Sequence, residues 1–457
     1  MTAFRPYQRQ ALEFFQAVPR GYLAGKPGSG KTAVALALAE WVLFELFETG
    51  AVLVVCPKRV VPQWAREARK WPAGKDLLFA EYVGAAPVRQ QALNNLMEHR
   101  ANVLVCSFEF FPELLKAISL PRWPFGLVIF DEASRLRDGG RQGSVTWKAV
   151  NAISQKTRSR LLLMSGSPRP GTAHELYGPV ALLDGGVSLG TTLGQFRATY
   201  LEPDKTDRHS GRVFSWRLRR NMEAALYGAI RHLFYAVDPD LGLESVEIGL
   251  WIDLPHQVEI ACAELQREQI TSVAGLEVVA LSQGVAFGKL HQLCQGAVFT
   301  DGDGHWQELH TEKLDELSEL LQELDGEPVV VCYWFEHDKA RLQRRFPQAV
   351  DLSTDDGLTA ALKGEVSLAL LHPAAAGHGI DGLQDHFRAI VWFAIPASYE
   401  LYDQTNKRLV RSGQKDTVRI FRILAANGIA DRRLAKRLVD KEIGQEAFFD
   451  HLKAAHA

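Results

Sequence analysis

A glycine-rich loop near the N-terminus contains the residues with the clearest capacity for chemistry. The stretch Gly25-Lys-Pro-Gly-Ser-Gly-Lys-Thr32 fits the pattern G-x-x-x-x-G-K-[ST]. Glycines let the backbone wrap tightly, so that its N–H groups point at phosphate oxygens, and the helical pattern from Ala33 would place a phosphate at a helix N-terminus. In such a loop the lysine reaches the β- and γ-phosphates and the threonine hydroxyl binds Mg²⁺. The predicted phosphate-binding residues are Gly28, Ser29, Gly30, Lys31 and Thr32.

An acidic pair follows the apolar run Leu127–Phe130. At the end of a strand, Asp131 would hold the metal ion together with Thr32, and Glu132 would polarise the attacking water. The next apolar run leads into Ser165-Gly-Ser-Pro168, whose small hydroxyl-bearing residues suit a loop beside the carboxylates. Taken alone, an acidic strand end and a serine turn are ordinary features. The phosphate loop gives both of them weight.

Two series of short apolar runs alternate with helical patterns and must position these residues. The first series is Ala51–Cys56, Val103–Cys106, Leu127–Phe130 and Leu161–Met164. The second series is Val329–Cys332, Leu368–Leu371, Ile390–Phe393 and Val418–Ile423. Such runs are typical of buried parallel strands, so each series predicts an α/β lobe. We expect a first lobe over 1–170, a mainly helical insertion and linker over 171–249, and a second lobe over 250–457.

Composition limits the class of protein. The chain has 457 residues, and ~150 residues per domain predicts roughly three units. Lys plus Arg is 52 and Asp plus Glu is 54, which gives a net charge of −2. This balance excludes a nucleic-acid-coating protein that is basic over its whole surface, but it allows a local basic groove. Five scattered cysteines without a C-x-x-C indicate neither a disulfide framework nor a zinc site. No signal region and no membrane-spanning stretch are recognisable, so we expect a cytoplasmic protein that does not bind membranes. We also expect a monomer in solution.

The phosphate loop, acidic pair and serine turn, in this order, resemble superfamily 2 helicases and translocases. Further motifs resemble the Snf2-like branch, including its Arg-x-Gly-Gln ending. They are Phe4–Gln8, Val54–Pro57 with Val61–Trp64, Ser107–Glu109, Asp131–Ser134, Val329–Phe335, His372–Gln384 and Gln404–Gln414. Asp381 stands where many Snf2-like proteins carry Asn. The compact length and the stretch Leu189–Tyr200 look like the small Snf2-like proteins of bacteriophages and prophages, which implies the cytoplasm of a bacterial host.

The resemblance implies two RecA-like lobes, ATP with Mg²⁺, and DNA as the partner. Its implied catalytic residues are Lys31, Asp131, Glu132, Gln404, Arg408 and Arg411. Further nucleotide-binding residues are Arg5, Tyr7 and Gln8 at the adenine, and Gly379 and Asp381 in the second lobe. Implied nucleic-acid contacts are Lys58, Gln63, Ser107, Phe108 and His378. Trp64 is expected to pack rather than stack on a base, and Lys407 to lie on a solvated helix face.

Three functions remain open at this point. The first is an ATP-driven translocase on duplex DNA with little sequence specificity. The second is a helicase that separates or anneals strands at forks or on single-stranded DNA. The third is a nucleotide-gated nucleic-acid-binding module with little turnover, against which the intact Lys31, Glu132, Arg408 and Arg411 speak. The basic run Arg217–Arg220 is either an additional DNA-binding patch or a solvated turn.

Overall fold

The structure is a computed structural model and falls into two compact units. The first unit comprises Met1–Pro239 and Ile443–Ala457, and the second comprises Asp240–Glu442. The residues that the structure describes are 4–26, 28–46, 50–139, 143–168, 172–206, 211, 213–237, 244–300, 304–376, 382–411 and 413–453. Among the described helices, none combines the length and the apolar composition that a membrane span requires.

The first unit is built on a parallel sheet. Its described strands are β1 (Arg20–Gly25), β2 (Ala51–Cys56), β3 (Phe79–Tyr82), β4 (Val103–Ser107), β5 (Phe125–Asp131), β6 (Arg160–Ser165), β7 (Leu201–Thr206), β8 (Val213–Leu218) and β9 (Phe234–Val237). Its described helices are α1 (Pro6–Ala17), α2 (Lys31–Phe44), α3 (Val61–Ala68), α4 (Ala86–Met97), α5 (Phe111–Ala117), α6 (Val145–Lys156), α7 (Tyr177–Asp184), α8 (Leu193–Tyr200) and α9 (Glu223–Ile230).

Among the described residues, seven strands form this sheet in the order β3-β4-β2-β5-β6-β1-β9, and every pairing in it is parallel. Strands β2, β4 and β6 are buried along their whole length, as expected for a sheet covered by helices on both faces. Helix α2 is apolar on nearly all sides and is buried from Ala33 to Ala39. The four strands predicted for the first lobe are confirmed.

The stretch after residue 170 belongs to the same compact unit up to Pro239. It contains helices as expected, but also the antiparallel hairpin β7–β8 and the edge strand β9, which pairs with β1. The physical reason is the apolar run Phe234–Val237, in which Phe234 stacks on Tyr22 with ring centroids 4.8 Å apart. The predicted insertion therefore extends the sheet of the first unit.

The second unit also contains a parallel sheet. Its described strands are β10 (Ser245–Ile252), β11 (Ile270–Val273), β12 (Leu276–Val279), β13 (Ala297–Phe299), β14 (Trp306–Glu308), β15 (Val329–Cys332), β16 (Val350–Asp351), β17 (Leu368–Leu371), β18 (Ala389–Trp392) and β19 (Val418–Ala425). Its described helices are α10 (His256–Glu268), α11 (Gln283–Gln295), α12 (Glu312–Glu323), α13 (Glu336–Arg345), α14 (Asp355–Leu362), α15 (Pro373–Ala376), α16 (Tyr399–Asn406) and the start of α17 (Ile429–Lys453).

In the described part of this unit, six parallel strands follow the order β10-β19-β18-β15-β17-β16. All four strands predicted for the second lobe are present in this sheet. The predicted fold class, two α/β lobes with parallel sheets flanked by helices, is confirmed. Helix α17 crosses the predicted boundaries, because its residues from Ile443 onward belong to the first unit.

A buried polar network ties together the helices of the second unit. Lys313 and Asp431 form an ion pair of 2.7 Å in which both side chains are fully buried. Lys313 Nζ also donates to Gln295 Oε1 over 3.0 Å, and Asp431 accepts the N–H of Ala425 over 2.9 Å. Pairing and hydrogen bonding offset part of the cost of burying these two groups in the core. The pair fixes the start of α17 against α11 and α12.

Two buried histidines beside this network predict that acid weakens the second unit. Burial lowers the pKa of His291 to about 4 and that of His310 to about 4. In the unfolded chain both would take up a proton near the ordinary pKa of about 6.5. The unfolded state therefore binds more protons between these values, so the free energy of unfolding falls as pH falls through that window. The expected loss is on the order of 3 kcal/mol for each histidine.

Urea titrations followed by circular dichroism, at about pH 7 and about pH 5, measure the part of this loss that falls between the two pH values, about 2 kcal/mol for each histidine. His291→Gln should reduce the difference in unfolding free energy between the two pH values. The exposed His256 provides the control, since His256→Gln should leave that difference unchanged. An unaltered pH dependence in His291→Gln would show that this imidazole is not the responsible group.

Candidate nucleotide-binding site

The glycine-rich loop joins β1 to α2. The Ser29 N–H donates to Lys26 O over 3.1 Å, and the Ala33 N–H donates to Gly30 O over 3.0 Å at the start of the helix. Lys31 Nζ bends back into the loop and donates to Gly25 O over 2.6 Å. The ammonium group is thus held inside the curve of the loop, at the N-terminus of α2, where an anion is favoured.

Two glycines of this loop cannot be replaced without strain. Gly30 has φ +80°, and a Cβ there would lie 2.1 Å from Gln8 Nε2. A Cβ at Gly25 would lie 2.7 Å from Ser29 Oγ. The first position requires a left-handed backbone and the second a close approach, and glycine provides both. The glycines of the pattern are therefore explained by the folded loop.

Gln8 connects the first helix to this loop. Its Oε1 accepts the N–H of Arg5 over 2.9 Å, and its Nε2 donates to Ser29 O over 3.4 Å. The side chain is 3% exposed, whereas Arg5 lies at the surface with its guanidinium 3.4 Å from Tyr7 Oη. Of the three residues predicted for adenine recognition, Gln8 is the one that directly contacts the phosphate loop.

The acidic pair stands at the carboxyl end of β5. Parallel pairing aligns Asp131 with Met164 of β6, and Ala24 of β1 with Ser165 of β6. Three segments thus lie at the ends of neighbouring strands: the phosphate loop, the pair Asp131 and Glu132, and the segment Ser165–Pro168, which we call the serine loop. Ligands of open parallel sheets bind at this edge. This arrangement agrees with the sequence prediction that the three segments lie close together.

Glu132 is held in an unusual backbone conformation beside the serine loop. Its φ of 62° and ψ of 53° are left-handed, which costs a non-glycine residue about 1–2 kcal/mol. Ser165 Oγ donates to Glu132 Oε2 over 3.5 Å, and the Ser167 N–H donates to Ser165 Oγ over 3.0 Å. The Ser165 hydroxyl thus connects the serine loop to the Glu132 carboxylate.

The residues at this strand edge fit ATP with Mg²⁺. Burial raises the pKa of Asp131, and the Lys31 ammonium opposes that rise, so a further cation beside this carboxylate would be stabilised. Ser29 Oγ is buried and has no hydrogen-bond partner among the described residues, which a phosphate group would supply. One carboxylate, the Thr32 hydroxyl and phosphate oxygens are ligands that Mg²⁺ commonly takes.

The predicted residues of the second unit lie on and after α16. Gln404 is 8% exposed, and its Nε2 donates to Glu400 Oε1 over 3.5 Å. Arg408 and Arg411 follow the helix and are half-buried. His378, Gly379 and Asp381 lie outside the described residues. The roles assigned to all these residues remain predictions.

Sequence reasoning missed one residue that orients this segment. Asn406 Oδ1 accepts the indole N–H of Trp392 over 2.9 Å in the core. Helical spacing contained the signal, because Tyr402, Asn406 and Leu409 recur at intervals typical of one buried face. The expectation that Lys407 lies on a solvated helix face is wrong, because its side chain is 18% exposed and pairs with the partly buried Asp403 at 2.7 Å.

The residues predicted to contact nucleic acid differ in exposure. Lys58 is exposed and Gln63 is half-buried. Ser107 is fully buried, and Phe108 is 6% exposed. Lys58 is therefore the residue of this group whose side chain is presented to solvent. Trp64 is 1% exposed, which confirms that it packs in the core.

The chain has two α/β units, each with a parallel sheet, and the first unit carries a phosphate loop and an acidic pair at neighbouring strand ends. These features define a P-loop protein of the helicase and translocase class. The family described as SNF2-related domain matches residues 7–248, more than half of the chain. The chain therefore belongs to the SNF2-related family.

Individual proteins resemble this chain to different extents. Protein p41 of Acyrthosiphon pisum secondary endosymbiont phage 1 is 27% identical over 459 residues, which cover 95% of this chain and 96% of the phage protein. The DNA repair and recombination protein RAD54-like of Gallus gallus is 29% identical over 206 residues. That match covers 41% of this chain and 27% of the avian protein, so the chain spans about a quarter of that relative. The solved SWI2/SNF2 ATPase core of Sulfolobus solfataricus, in complex with double-stranded DNA, aligns with 99% of this chain and 95% of that chain at 17% identity and a TM-score of 0.44.

Proposed function

We propose that this protein is an ATPase stimulated by nucleic acid, which couples hydrolysis to movement along duplex DNA with little sequence specificity. The observation that carries the proposal is the contact of Ser165 with the carboxylate of Glu132, a residue with a left-handed backbone, at the strand edge where the phosphate loop also lies. Membership of the SNF2-related family supports ATP as the substrate. The relative named for DNA repair and recombination supports DNA as the polymer, and the phage relative supports a host cytoplasm.

Each residue of the site has a proposed task. The loop N–H groups and Lys31 hold the β- and γ-phosphates, and Asp131 with Thr32 holds Mg²⁺, which neutralises phosphate charge when bound. The Glu132 carboxylate accepts a hydrogen bond from the attacking water and orients this water towards the γ-phosphorus. Ser165 keeps this carboxylate in place. Gln404, Arg408 and Arg411 of the second unit would complete the stabilisation of the transferring phosphoryl group.

Contacts to the DNA backbone explain why sequence preference should be slight. A lysine on phosphate contributes affinity that depends on salt and carries no base information. Lys58 is exposed at the end of β2 and suits this role. A protein that holds one duplex by its backbone can change register along it without separating its strands. Contacts to the backbone of an intact duplex therefore favour translocation over unwinding.

The test is ATP hydrolysis by the purified full chain, without nucleic acid and with matched duplex DNA, single-stranded DNA and RNA. Strong stimulation by duplex DNA, followed by displacement of a triplex-forming strand, is the expected result. Stimulation confined to forks or single strands would replace translocation by strand separation or annealing. ATP binding without turnover on every polymer would favour the nucleotide-gated binding module.

Arg411→Ala should reduce the turnover rate more than it reduces ATP affinity. In this proposal the guanidinium of Arg411 stabilises the charge that develops on the γ-phosphate in the transition state. Its loss should therefore lower kcat about 10²-fold or more while KM for ATP changes little. Steady-state hydrolysis with duplex DNA at saturation measures both constants. Lys407→Ala is the matched control, because Lys407 is engaged with Asp403. An equal fall in ATP affinity and rate would make Arg411 a ground-state ligand.

A further inference from the structure

The last turns of α17 pack into the core of the first unit. Phe448, Phe449 and Leu452 are at most 1% exposed. The ring of Phe448 lies 4.8 Å from that of Tyr227 and 5.7 Å from that of Phe234. Burial of these three apolar side chains stabilises the packing of this end of the helix.

Gln445 occupies a buried position one turn before these aromatic residues. It is 3% exposed, and its Nε2 donates to the carbonyl of Gly166 over 3.5 Å. Gly166 lies between Ser165 and Ser167, so the contact reaches the middle of the serine loop. The same loop donates to Glu132 through Ser165 Oγ. One residue of α17 is thus two hydrogen bonds away from the carboxylate assigned to hydrolysis.

A glutamine at this position is unfavourable for packing alone. Gln445 Oε1 and Ser167 Oγ are both buried, and neither has a hydrogen-bond partner among the described residues. A buried polar atom without a partner costs about 1–3 kcal/mol, and an apolar residue of similar size would avoid that cost. Each side of the contact also retains a free hydrogen-bonding atom.

We infer that Gln445 is a positioning residue for ATP hydrolysis, which holds the Ser165–Ser167 loop in the arrangement that supports Glu132. The inference rests on the proposed function. It adds a residue outside every motif that the sequence identified, more than 270 positions from the loop in the chain. Gln445 and the serine loop belong to the same compact unit, so the contact lies within the first unit.

The test compares Gln445→Leu with wild type in steady-state ATP hydrolysis with saturating duplex DNA. Leucine keeps the bulk and removes the amide, so the helix should stay packed. We expect kcat to fall about five- to twenty-fold with KM for ATP within twofold of wild type. Hydrogen exchange of the Ser167 amide, which donates to Ser165 Oγ, should become faster in the variant. The exposed neighbour supplies the control, since Glu446→Gln should match wild type in both measurements.

A double-mutant cycle separates positioning from simple packing. If Gln445 acts through the serine loop, Gln445→Leu should cause no further loss of kcat in a Ser165→Ala background. Additive losses would overturn the inference, and so would wild-type kcat in Gln445→Leu or a fall in thermal stability that parallels the loss of rate. A wild-type protein without ATP turnover on any polymer would overturn the proposed function as well. An active wild type with a fully active Gln445→Leu variant would overturn this inference alone.

Discussion

Lys31→Ala should abolish ATP hydrolysis, with a fall of at least about 10³-fold in kcat/KM, because it removes the cation that faces the β- and γ-phosphates. In the structure the ammonium group is already inside the loop, 2.6 Å from the carbonyl of Gly25. It is also the charge that opposes the raised pKa of Asp131. Its loss therefore weakens phosphate binding and makes the metal-binding carboxylate easier to protonate.

Phosphate release in the presence of duplex DNA measures the rate of ATP hydrolysis, and binding of a fluorescent ATP analogue measures the affinity for the nucleotide. The matched control is Lys70→Ala, since Lys70 is an exposed lysine paired with Glu67 on the surface. Folding is checked by the thermal transition, which should stay close to that of wild type. Hydrolysis that survives Lys31→Ala at more than about a tenth of the wild-type rate would exclude the glycine-rich loop as the phosphate site.

Features encoded by short stretches of sequence were predictable. Val329–Cys332 is a strand with the predicted bounds because four consecutive apolar residues suit a strand that is buried on both faces. The phosphate loop was equally accessible, since the need for glycine at Gly25 and Gly30 arises from neighbours within the loop and from Gln8. These features depend on local periodicity and on contacts close in the chain.

Features that depend on distant contacts were not predictable in this way. The strand Phe234–Val237 pairs with β1, and the end of α17 packs beside it, although more than 200 residues separate the two in the chain. The sequence shows Phe448, Phe449 and Leu452 as an ordinary apolar helix face and does not indicate which core receives it. The contact of Gln445 with Gly166 has no sequence pattern at all, because it is defined only by the fold.

Glu132→Gln should stop hydrolysis while ATP stays bound. Glutamine has the shape of glutamate and retains an oxygen that can accept the hydroxyl of Ser165, so the serine loop should keep its place. What is lost is the negative charge that orients and polarises the attacking water. We expect kcat to fall at least about 10²-fold, within the range that general-base groups contribute, with the Kd for ATP within about twofold of wild type.

Single-turnover hydrolysis and equilibrium ATP binding, measured on the same preparation, separate these two effects. Glu98→Gln, at an exposed glutamate that pairs with Arg100, serves as the control for the loss of one charge. Near-normal turnover in Glu132→Gln would remove this residue from the water-activating role, and the strain in its backbone would then need another explanation. If ATP affinity fell together with the rate, the carboxylate would act on the ground state through the metal. Retained binding with lost turnover would instead give a trapped ATP state, in which the effect of duplex DNA on binding can be measured without hydrolysis.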